Sequence, residues 1–205
     1  IIPTGSGNGL ARCLNIPLSV EQAIKAINQM KTKRIDCIKL NNTVYASIAG
    51  IGFDALIARE FAKTKTRGFQ PYLKLVLQNY PQYKPQNYTL IIDDIEINTQ
   101  ALFVSFSNSN QFGFDVEIAN NASLCDGLID VVIVQKPPLP LLFWTAQLLF
   151  WRKFDNSIYV NAYQAKKVTV KSNNPTGVNL DGEYAEFDTD LTFEIMPDSL
   201  NVIIP

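Results

Sequence analysis

Asn179-Leu180-Asp181-Gly182-Glu183 sets two carboxylates around one glycine, between a β-rich run, Lys167-Val168-Thr169-Val170, and another, Leu191-Thr192-Phe193-Glu194-Ile195. Asp-Gly favours a turn with positive φ, so the stretch reads as a tight connection between strands. An ionised Asp on an anchored turn can take a proton from a substrate hydroxyl, and a Glu two residues on can bind or orient a metal or a donor. The same dipeptide is also an ordinary hairpin turn. The rest of the chain has to separate the two readings.

Outward from that turn the texture stays β. Residues 35–40 and 44–48 flank an Asn41-Asn42 turn, and 88–92, 96–101 and 102–107 follow around Asp93-Asp94. Runs at 131–134, 158–160, 165–170, 191–195 and 200–204 complete about ten short strands. Helical patterns interrupt them after Ala55, over 72–80 behind Pro71, and over 139–150. Residues 35–205 therefore read as mainly β with helical insertions, an α+β chain built on a two-layer antiparallel β-sandwich. Residues 1–34 have another texture, the loop-helix tail of an α/β nucleotide-binding unit. In that tail Ser19 with Gln22 predicts a capping box ahead of a helix reaching about Met30, and the final strand of the chain is expected to pack toward this first unit.

Several stretches between these elements carry chemistry. Pro3-Thr4-Gly5-Ser6-Gly7-Asn8 is a small-residue loop before a helical pattern, where glycines let main-chain N–H groups approach an anion; a structural turn is the competing reading. In Ala49-Gly50-Ile51-Gly52-Phe53-Asp54-Ala55 the glycines permit close backbone approach, and Asp54 is expected to cap the helix that follows. Ser123-Leu124-Cys125-Asp126-Gly127-Leu128-Ile129-Asp130 is another acid-bearing turn, whose carboxylates and carbonyls suit a hard cation such as Mg²⁺ or Ca²⁺ as well as a plain turn. Lys63, Lys65 and Arg67 form a basic patch that reads as a solvated loop or as a region attracted to an anionic membrane surface. Residues 139–150 are apolar on nearly every side and run into Trp151-Arg152-Lys153; burial in the core is the expected fate, contact with lipid the alternative.

Composition bounds the chemistry. The 205 residues contain no histidine, which excludes imidazole bases, Ser-His-Asp triads and imidazole metal sites. Three cysteines without a CxxC spacing, Cys13, Cys37 and Cys125, fit structural thiols in a reducing compartment. A net charge of −1 supplies no field for nucleic acid, and 47% apolar with 18% charged residues describes an ordinary globular chain. The sequence opens on Ile1-Ile2-Pro3, which reads as the end of a buried strand and so as a start inside a larger unit.

Taken in order and at these separations, the Pro3–Asn8 loop, the Ala49–Ala55 stretch, Cys125-Asp126-Gly127-Leu128-Ile129-Asp130-Val131 and Leu180-Asp181-Gly182-Glu183 resemble the diacylglycerol kinase catalytic-domain superfamily, which includes soluble bacterial lipid kinases, sphingosine kinases and ceramide kinases. The resemblance implies ATP- and Mg²⁺-dependent transfer of a γ-phosphoryl group to a lipid hydroxyl, on diacylglycerol or a sphingoid-like base. It implies Asp181 as the base and Glu183 as its partner at nucleotide or metal, Gly5, Ser6, Gly7 and Asn8 against the ATP phosphates, and Ser123, Asp126 and Leu128 around Mg²⁺. It further implies a cytoplasmic protein that visits the membrane surface, with a second copy of the chain as a candidate partner. Departures are visible: the superfamily's Gly-Gly-Asp-Gly-Thr motif is not in these residues, Gly9 stands where many bacterial members have Asp, and Cys125 replaces an Asn or Asp. The expectation is a 1–34 remnant of the nucleotide domain on a 35–205 lipid-binding and catalytic sandwich, with little activity from these 205 residues alone. Competing expectations are a non-enzymatic lipid-binding sandwich and a kinase for a soluble hydroxyl substrate such as NAD.

Overall fold

A computed structural model of the chain describes residues 1–171 and 176–205. Two short helices, α1 (Gly9–Cys13) and α2 (Val20–Asn28), precede strands β1 (Thr32–Leu40), β2 (Thr43–Tyr45) and β3 (Ile48–Gly52). Helices α3 (Phe53–Ala62) and α4 (Phe69–Asn79) follow, then β4 (Gln86–Ile92), β5 (Ile95–Ala101) and β6 (Phe103–Ser107). A small ribbon, β7 (Gln111–Gly113) with β8 (Val116–Glu117), leads to β9 (Ile129–Val134) and α5 (Leu139–Phe150). The chain closes with β10 (Val160–Ala165), β11 (Lys167–Lys171), β12 (Thr176–Leu180), β13 (Glu183–Phe187) and β14 (Leu191–Ile203).

The long strands form two six-stranded sheets, ordered β2-β1-β14-β11-β4-β5 and β10-β9-β6-β3-β12-β13. Every pairing is antiparallel, so the two-layer sandwich read from the sequence is the observed architecture. Side chains alternate along a strand, and the inward residues of both sheets fill one core. At its centre the rings of Phe106 (β6) and Phe193 (β14) stack across the sheets with centroids 3.8 Å apart and planes 16° from parallel. Tyr45 meets Phe193 edge-on and donates its hydroxyl to the Phe106 carbonyl at 3.0 Å, so its one polar atom is satisfied inside the core. Strand β9 is apolar almost throughout because both its faces are covered: Ile129, Val131 and Ile133 face the core, whereas Val132 and Val134 pack with Leu148 and Leu149 of α5. A separate cluster joins α1 and α2 (Ala11, Leu14, Ala23) to Ile35 of β1, Leu124, and Val202 at the end of β14.

The structure departs from the sequence-based expectations at six places. The two expected strands at 191–195 and 200–204 are one strand, β14, whose register against β1 slips between Ile35 and Cys37. Pro197 has no N–H for the ladder, and Asp198, at φ 51°, turns its N–H to the Asp36 carboxylate at 2.8 Å, so the interruption is absorbed as a bulge. Ser19 makes no side-chain cap; its extended backbone receives the Ala23 N–H through the carbonyl alone. The segment expected as a loop after Asn108 contains β7, and the strand expected at 158–160 begins only at Val160, with Ile158 85% exposed. Ile1 and Ile2 are exposed and outside any strand. Finally, α5 is not buried all round: Leu139, Phe143, Trp144 and the following Trp151 are each at least 60% exposed. Its underside alone meets the protein, because sheet and neighbouring helices cover only one flank of a helix lying on the surface. Among the described residues no helix is long and apolar enough to cross a membrane.

The inter-sheet ring stack is the most sensitive point of this core. Phe193→Ala is expected to lower the unfolding free energy by about 3–5 kcal/mol, and Ile95→Ala, on an exposed edge-strand position, by under about 0.5 kcal/mol. Urea denaturation of the two variants beside the parent checks the contrast.

Candidate functional site

An antiparallel ladder brings alternate strand ends to one edge. In the second sheet, Leu180 lies opposite Glu183 and Ala49, Ile48 opposite Ser107, and Ser107 opposite Asp130. The Asp181-Gly182 turn, the 46–47 connection, the 108–110 connection and the 123–128 loop are therefore gathered at one end of that sheet. These are most of the stretches the sequence singled out.

The Asp181-Gly182 turn is a two-residue hairpin with positive φ at both positions, 50° and 97°. Such a turn matches the twist of its strands, and Gly at the second position carries no Cβ penalty. Asp181 turns its carboxylate onto the neighbouring connection. Oδ1 accepts the N–H groups of Ser47 at 3.0 Å and Ile48 at 2.8 Å, and Oδ2 accepts that of Ala46 at 3.0 Å. The Asp181 N–H in turn donates to the Ile48 carbonyl at 2.9 Å. The residue remains exposed, as do Gly182 and Glu183. Glu183 makes no side-chain hydrogen bond or ion pair among the described residues.

Asn179, one turn of the pleat earlier, braces the hairpin from beneath. Its Oδ1 accepts the Gly182 N–H at 3.0 Å, and its Nδ2 donates to Asp54 Oδ2 at 2.9 Å. Asp54 is thus not the helix cap expected from the sequence. The position before α3 is Gly52, which has no side chain to cap with, and Asp54 in the first turn points inward to Asn179. Burial pushes its carboxyl up to about 7, the Asn179 hydrogen bond opposing that rise. Gly50 is glycine for this reason: a Cβ there would lie 2.0 Å from Asp54 Oδ2. Asp130, also buried, is raised to about 6, chiefly by desolvation, with Gln164 donating to its Oδ1 at 3.2 Å.

The 3–8 loop folds on itself and onto β7. The Gly5 N–H donates to Asn8 Oδ1 at 3.0 Å, and Asn8 Nδ2 donates back to the Gly5 carbonyl at 2.9 Å, with Asn8 left-handed at φ 51°. Gly7 and Gly9 are explained by packing: added Cβ atoms would stand 3.4 Å from the Gly113 Cα and 2.9 Å from the Gln111 carbonyl oxygen. The Gly7 carbonyl accepts from Arg12 Nε at 3.2 Å and from the Phe114 N–H at 3.3 Å. Ser6 is exposed, and its hydroxyl makes no hydrogen bond among the described residues.

Two residues not selected from the sequence tie these loops together. Asn108, fully buried, donates Nδ2 to the carbonyls of Asp36 at 2.7 Å and Ala46 at 2.8 Å, and its N–H to Ser47 at 2.9 Å. Asp36 accepts the N–H of Gly127 at 2.8 Å while its own N–H donates to the Leu124 carbonyl at 2.7 Å, which fixes the 123–128 loop. Ser47 Oγ lies 2.6 Å from Ser109 Oγ, completing a hydrogen-bonded path from Asp181 to the ribbon beneath the 3–8 loop. A lone acid inside the apolar run Ile35-Asp36-Cys37-Ile38 was the one available signal for Asp36.

Among the described residues no group of three or more Cys, Asp or Glu gathers as a metal cluster. The 123–128 donors are of another kind. Asp126 is exposed and engages one oxygen, Oδ1, with the Leu128 N–H at 3.1 Å, and the carbonyls of Ser123 and Leu128 are hard-oxygen donors in the same loop. One carboxylate with two carbonyls fits Mg²⁺ retaining much of its water shell. A cleft of about 430 Å³ opens at the far end of the β12–β13 hairpin, lined among others by Gly52, Arg59, Lys171, Gly177 and Tyr184. It includes neither Asp181 nor the 3–8 loop.

The buried carboxyls set a pH dependence with a definite sign. With its carboxyl near 7 in the fold and near 3.8 as an ordinary Asp, Asp54 holds a proton in the native state that the unfolded chain has lost. Stability is full below about pH 4 and falls as pH rises to about 7, by on the order of 4 kcal/mol from Asp54. Asp54→Asn keeps a neutral acceptor for Asn179 and is expected to remove most of that fall, leaving the smaller part due to Asp130 below about pH 6. Urea unfolding at pH 5 and pH 8 reads the difference; parallel slopes in parent and variant would contradict it.

Comparison with known proteins bears on the family and the fold. A "Diacylglycerol kinase" of Staphylococcus saprophyticus is 27% identical over 187 residues, 90% of this chain and 61% of that protein. A protein of Pseudomonas syringae named "Probable lipid kinase YegS-like" is 26% identical across 100% of this chain and 67% of its own length. The chain thus spans about three fifths to two thirds of these relatives. A crystal structure from Bacillus anthracis str. Sterne superposes with TM-score 0.79 at 21% identity, covering 100% of this chain and 67% of that one, and shares the fold. The diacylglycerol kinase catalytic domain matches residues 1–40. With residues 47–204 matching the YegS C-terminal NAD kinase beta sandwich-like domain, the chain belongs to that family, within the diacylglycerol kinase catalytic-domain superfamily.

Proposed function

We propose that these residues form the acceptor-activating part of a lipid kinase, which transfers the γ-phosphoryl group of ATP to a lipid hydroxyl such as that of diacylglycerol. The observation that carries the reading is the Asp181 carboxylate, exposed to an incoming acceptor yet held by three main-chain N–H groups. Phosphoryl transfer depends on positioning and charge neutralisation, and a fixed carboxylate supplies the first at the acceptor. In this reading Asp181 takes the hydroxyl proton as the acceptor oxygen bonds to phosphorus and ADP leaves. Glu183, whose side chain has no hydrogen-bond or ion-pair partner among the described residues, follows Gly182 in the hairpin and orients the nucleotide or its metal. Ser6 and the main chain of Gly5, Gly7 and Asn8 border the phosphates, with the Arg12 guanidinium beside them. Mg²⁺ neutralises phosphate charge when bound with nucleotide; Ser123, Asp126 and Leu128 would hold a second ion that braces their loop. Since the relatives are longer, the activity is assigned to a protein of their full length, and these 205 residues alone are expected to turn over little.

The test is phosphorylation of a short-chain diacylglycerol by ATP in such a full-length protein. Asp181→Asn is expected to reduce turnover at least about 100-fold. Because an amide offers one acceptor oxygen and would face a main-chain N–H with its own NH₂, the variant also loses about 1–3 kcal/mol of stability. Glu183→Gln, which disturbs no contact, is expected to lower turnover with unchanged unfolding. Folded Asp181→Asn protein within a few-fold of parental turnover would overturn the assignment.

A further inference from the structure

Side chains alternate along β9, so Asp130 shares the outer face of the second sheet with Val132 and Val134, while Ile129, Val131 and Ile133 face the core. Val132 and Val134 pack with Ile118, Ala119 and Ala122 of the segment after β8, and with Phe154 of a short 3₁₀ turn, Phe154–Asn156. Asn120 follows Ala119 in sequence and Asp155 follows Phe154. Asp130 therefore lies on the face that both segments cover. The charges agree with this placement. Burial raises the Asp130 carboxyl, Gln164 opposes the rise, and Asp126 and Asp155 add to it. Burial also raises Asp155, against the main-chain N–H and side-chain amide of Asn120.

The other buried acids of the fold are met by donors. Asp36 accepts the N–H groups of Gly127 and Asp198, Glu117 accepts from Gln111 and pairs with Arg152, and Asp54 accepts from Asn179. Asp130 differs. It is 7% exposed, Gln164 reaches only its Oδ1, and its Oδ2 meets no donor among the described residues. Asp155 Oδ1 and Asn120 Oδ1 are likewise buried oxygens without a donor among the described residues. No Lys or Arg forms an ion pair with Asp130 or Asp155 among those residues either. An unmet buried carboxylate oxygen is costlier than an unmet neutral one, and a cation relieves several such oxygens at once. Two carboxylates and one amide carbonyl make an all-oxygen ligand set carrying two negative charges when ionised.

We propose that Asn120 Oδ1, Asp130 Oδ2 and Asp155 Oδ1 bind one hard divalent cation, Ca²⁺ or Mg²⁺, on the outer face of the second sheet. Oxygen ligands without thiolate or imidazole select these ions over zinc or copper. Three protein oxygens leave the rest of the coordination shell to water. The ion ties the turn that follows α5 and the segment that follows β8 to the middle strand β9. It shares no ligand with Ser123, Asp126 and Leu128, and it requires neither nucleotide nor phosphoryl transfer.

Protein carrying Asp126→Asn, stripped with a chelator and free of nucleotide, isolates this site from the 123–128 loop. Calorimetric titration with Ca²⁺ or Mg²⁺ is expected to show one ion bound per chain, and the thermal unfolding midpoint should rise as the ion is added. On that background Asp155→Asn, at a half-buried position, should weaken binding at least about tenfold in protein that remains folded. Asn120→Asp adds a third negative charge and should tighten binding at least about fivefold, while the metal-free form loses stability that the ion restores. Opposite shifts in affinity from these two variants are not expected of residues that merely pack. Absence of both heat and stabilisation up to about 10 mM of either ion, beyond the weak end of protein Ca²⁺ sites, would overturn the proposal. So would affinity unchanged in both variants, or binding by the parent that Asp126→Asn abolishes, which would mark the loop alone. Loss of lipid phosphorylation in Asp181→Asn with this ion still bound would count only against the kinase reading.

Discussion

Three consecutive main-chain N–H groups, those of Ala46, Ser47 and Ile48, need acceptors where the chain enters β3, and the carboxylate of Asp181 meets all three. Ala46 and Ser47 precede the ladder and Ile48 is its first residue, and unpaired amides in a partly buried connection are costly. The acceptor comes from the adjoining β12–β13 turn, so the hairpin cannot shift register without releasing them. Ser47 then passes the constraint to Ser109, and Asn108 to Asp36 and the 123–128 loop. One end of the second sheet is thereby fixed by side chains acting on main chain, while the Phe106–Phe193 stack fixes the interior. Site and core are held by different forces, so substitutions in one need not disturb the other.

Local chemistry was legible in the sequence wherever it decided the structure locally. Asp181-Gly182 made a hairpin because positive φ at both positions suits those two residues, and local patterning revealed the strands of the first sheet and β6 and β9 of the second, whereas β3 and the hairpin's own strands β12 and β13 were not read as strands. Legibility failed where a distant partner decided. Asp54 looked like a helix cap, yet Asn179, 125 positions away in sequence, draws it inward. Residues 191–195 and 200–204 looked like two strands, yet the Asp36 carboxylate across the sheet accepts the Asp198 N–H and lets β14 continue through Pro197 as a bulge. Asn108 sat in a Ser-Asn-Ser-Asn run that reads as loop, and its role arises only when β1, β3 and β6 converge.

Helix α5 is the same lesson in hydrophobic form. The uncharged stretch from Pro137 to Trp151, apolar but for Thr145 and Gln147, is compatible with a buried helix or with one facing lipid, and periodicity cannot choose because no broad polar face exists to place outside. What chooses is the number of layers. A two-layer sandwich with helices on one outer face provides a floor under α5 but no third layer above it. Residues such as Phe143 and Trp144 remain outside for want of anything to cover them, although burial would favour each by about 2–3 kcal/mol.

In the proposed reading, the carboxylate of Asp181 would keep a chemical role beside its structural one. Two ionised oxygens offer about four lone-pair directions. Main-chain N–H groups use two at Oδ1 and one at Oδ2, leaving one direction, at Oδ2, for a hydroxyl donor. The three amides fix the plane of the group and so fix where that direction points, without occupying it. A carboxylate at the tip of a free hairpin would have to be ordered when the acceptor arrives, at a loss of side-chain entropy; here that ordering is completed in folding. Under the proposed role, the acceptor oxygen would approach from the Oδ2 side. The requirement for an acidic side chain at this position is therefore stricter than either role alone would impose: Asn fails the amides, and Glu, one methylene longer, moves the remaining lone pair.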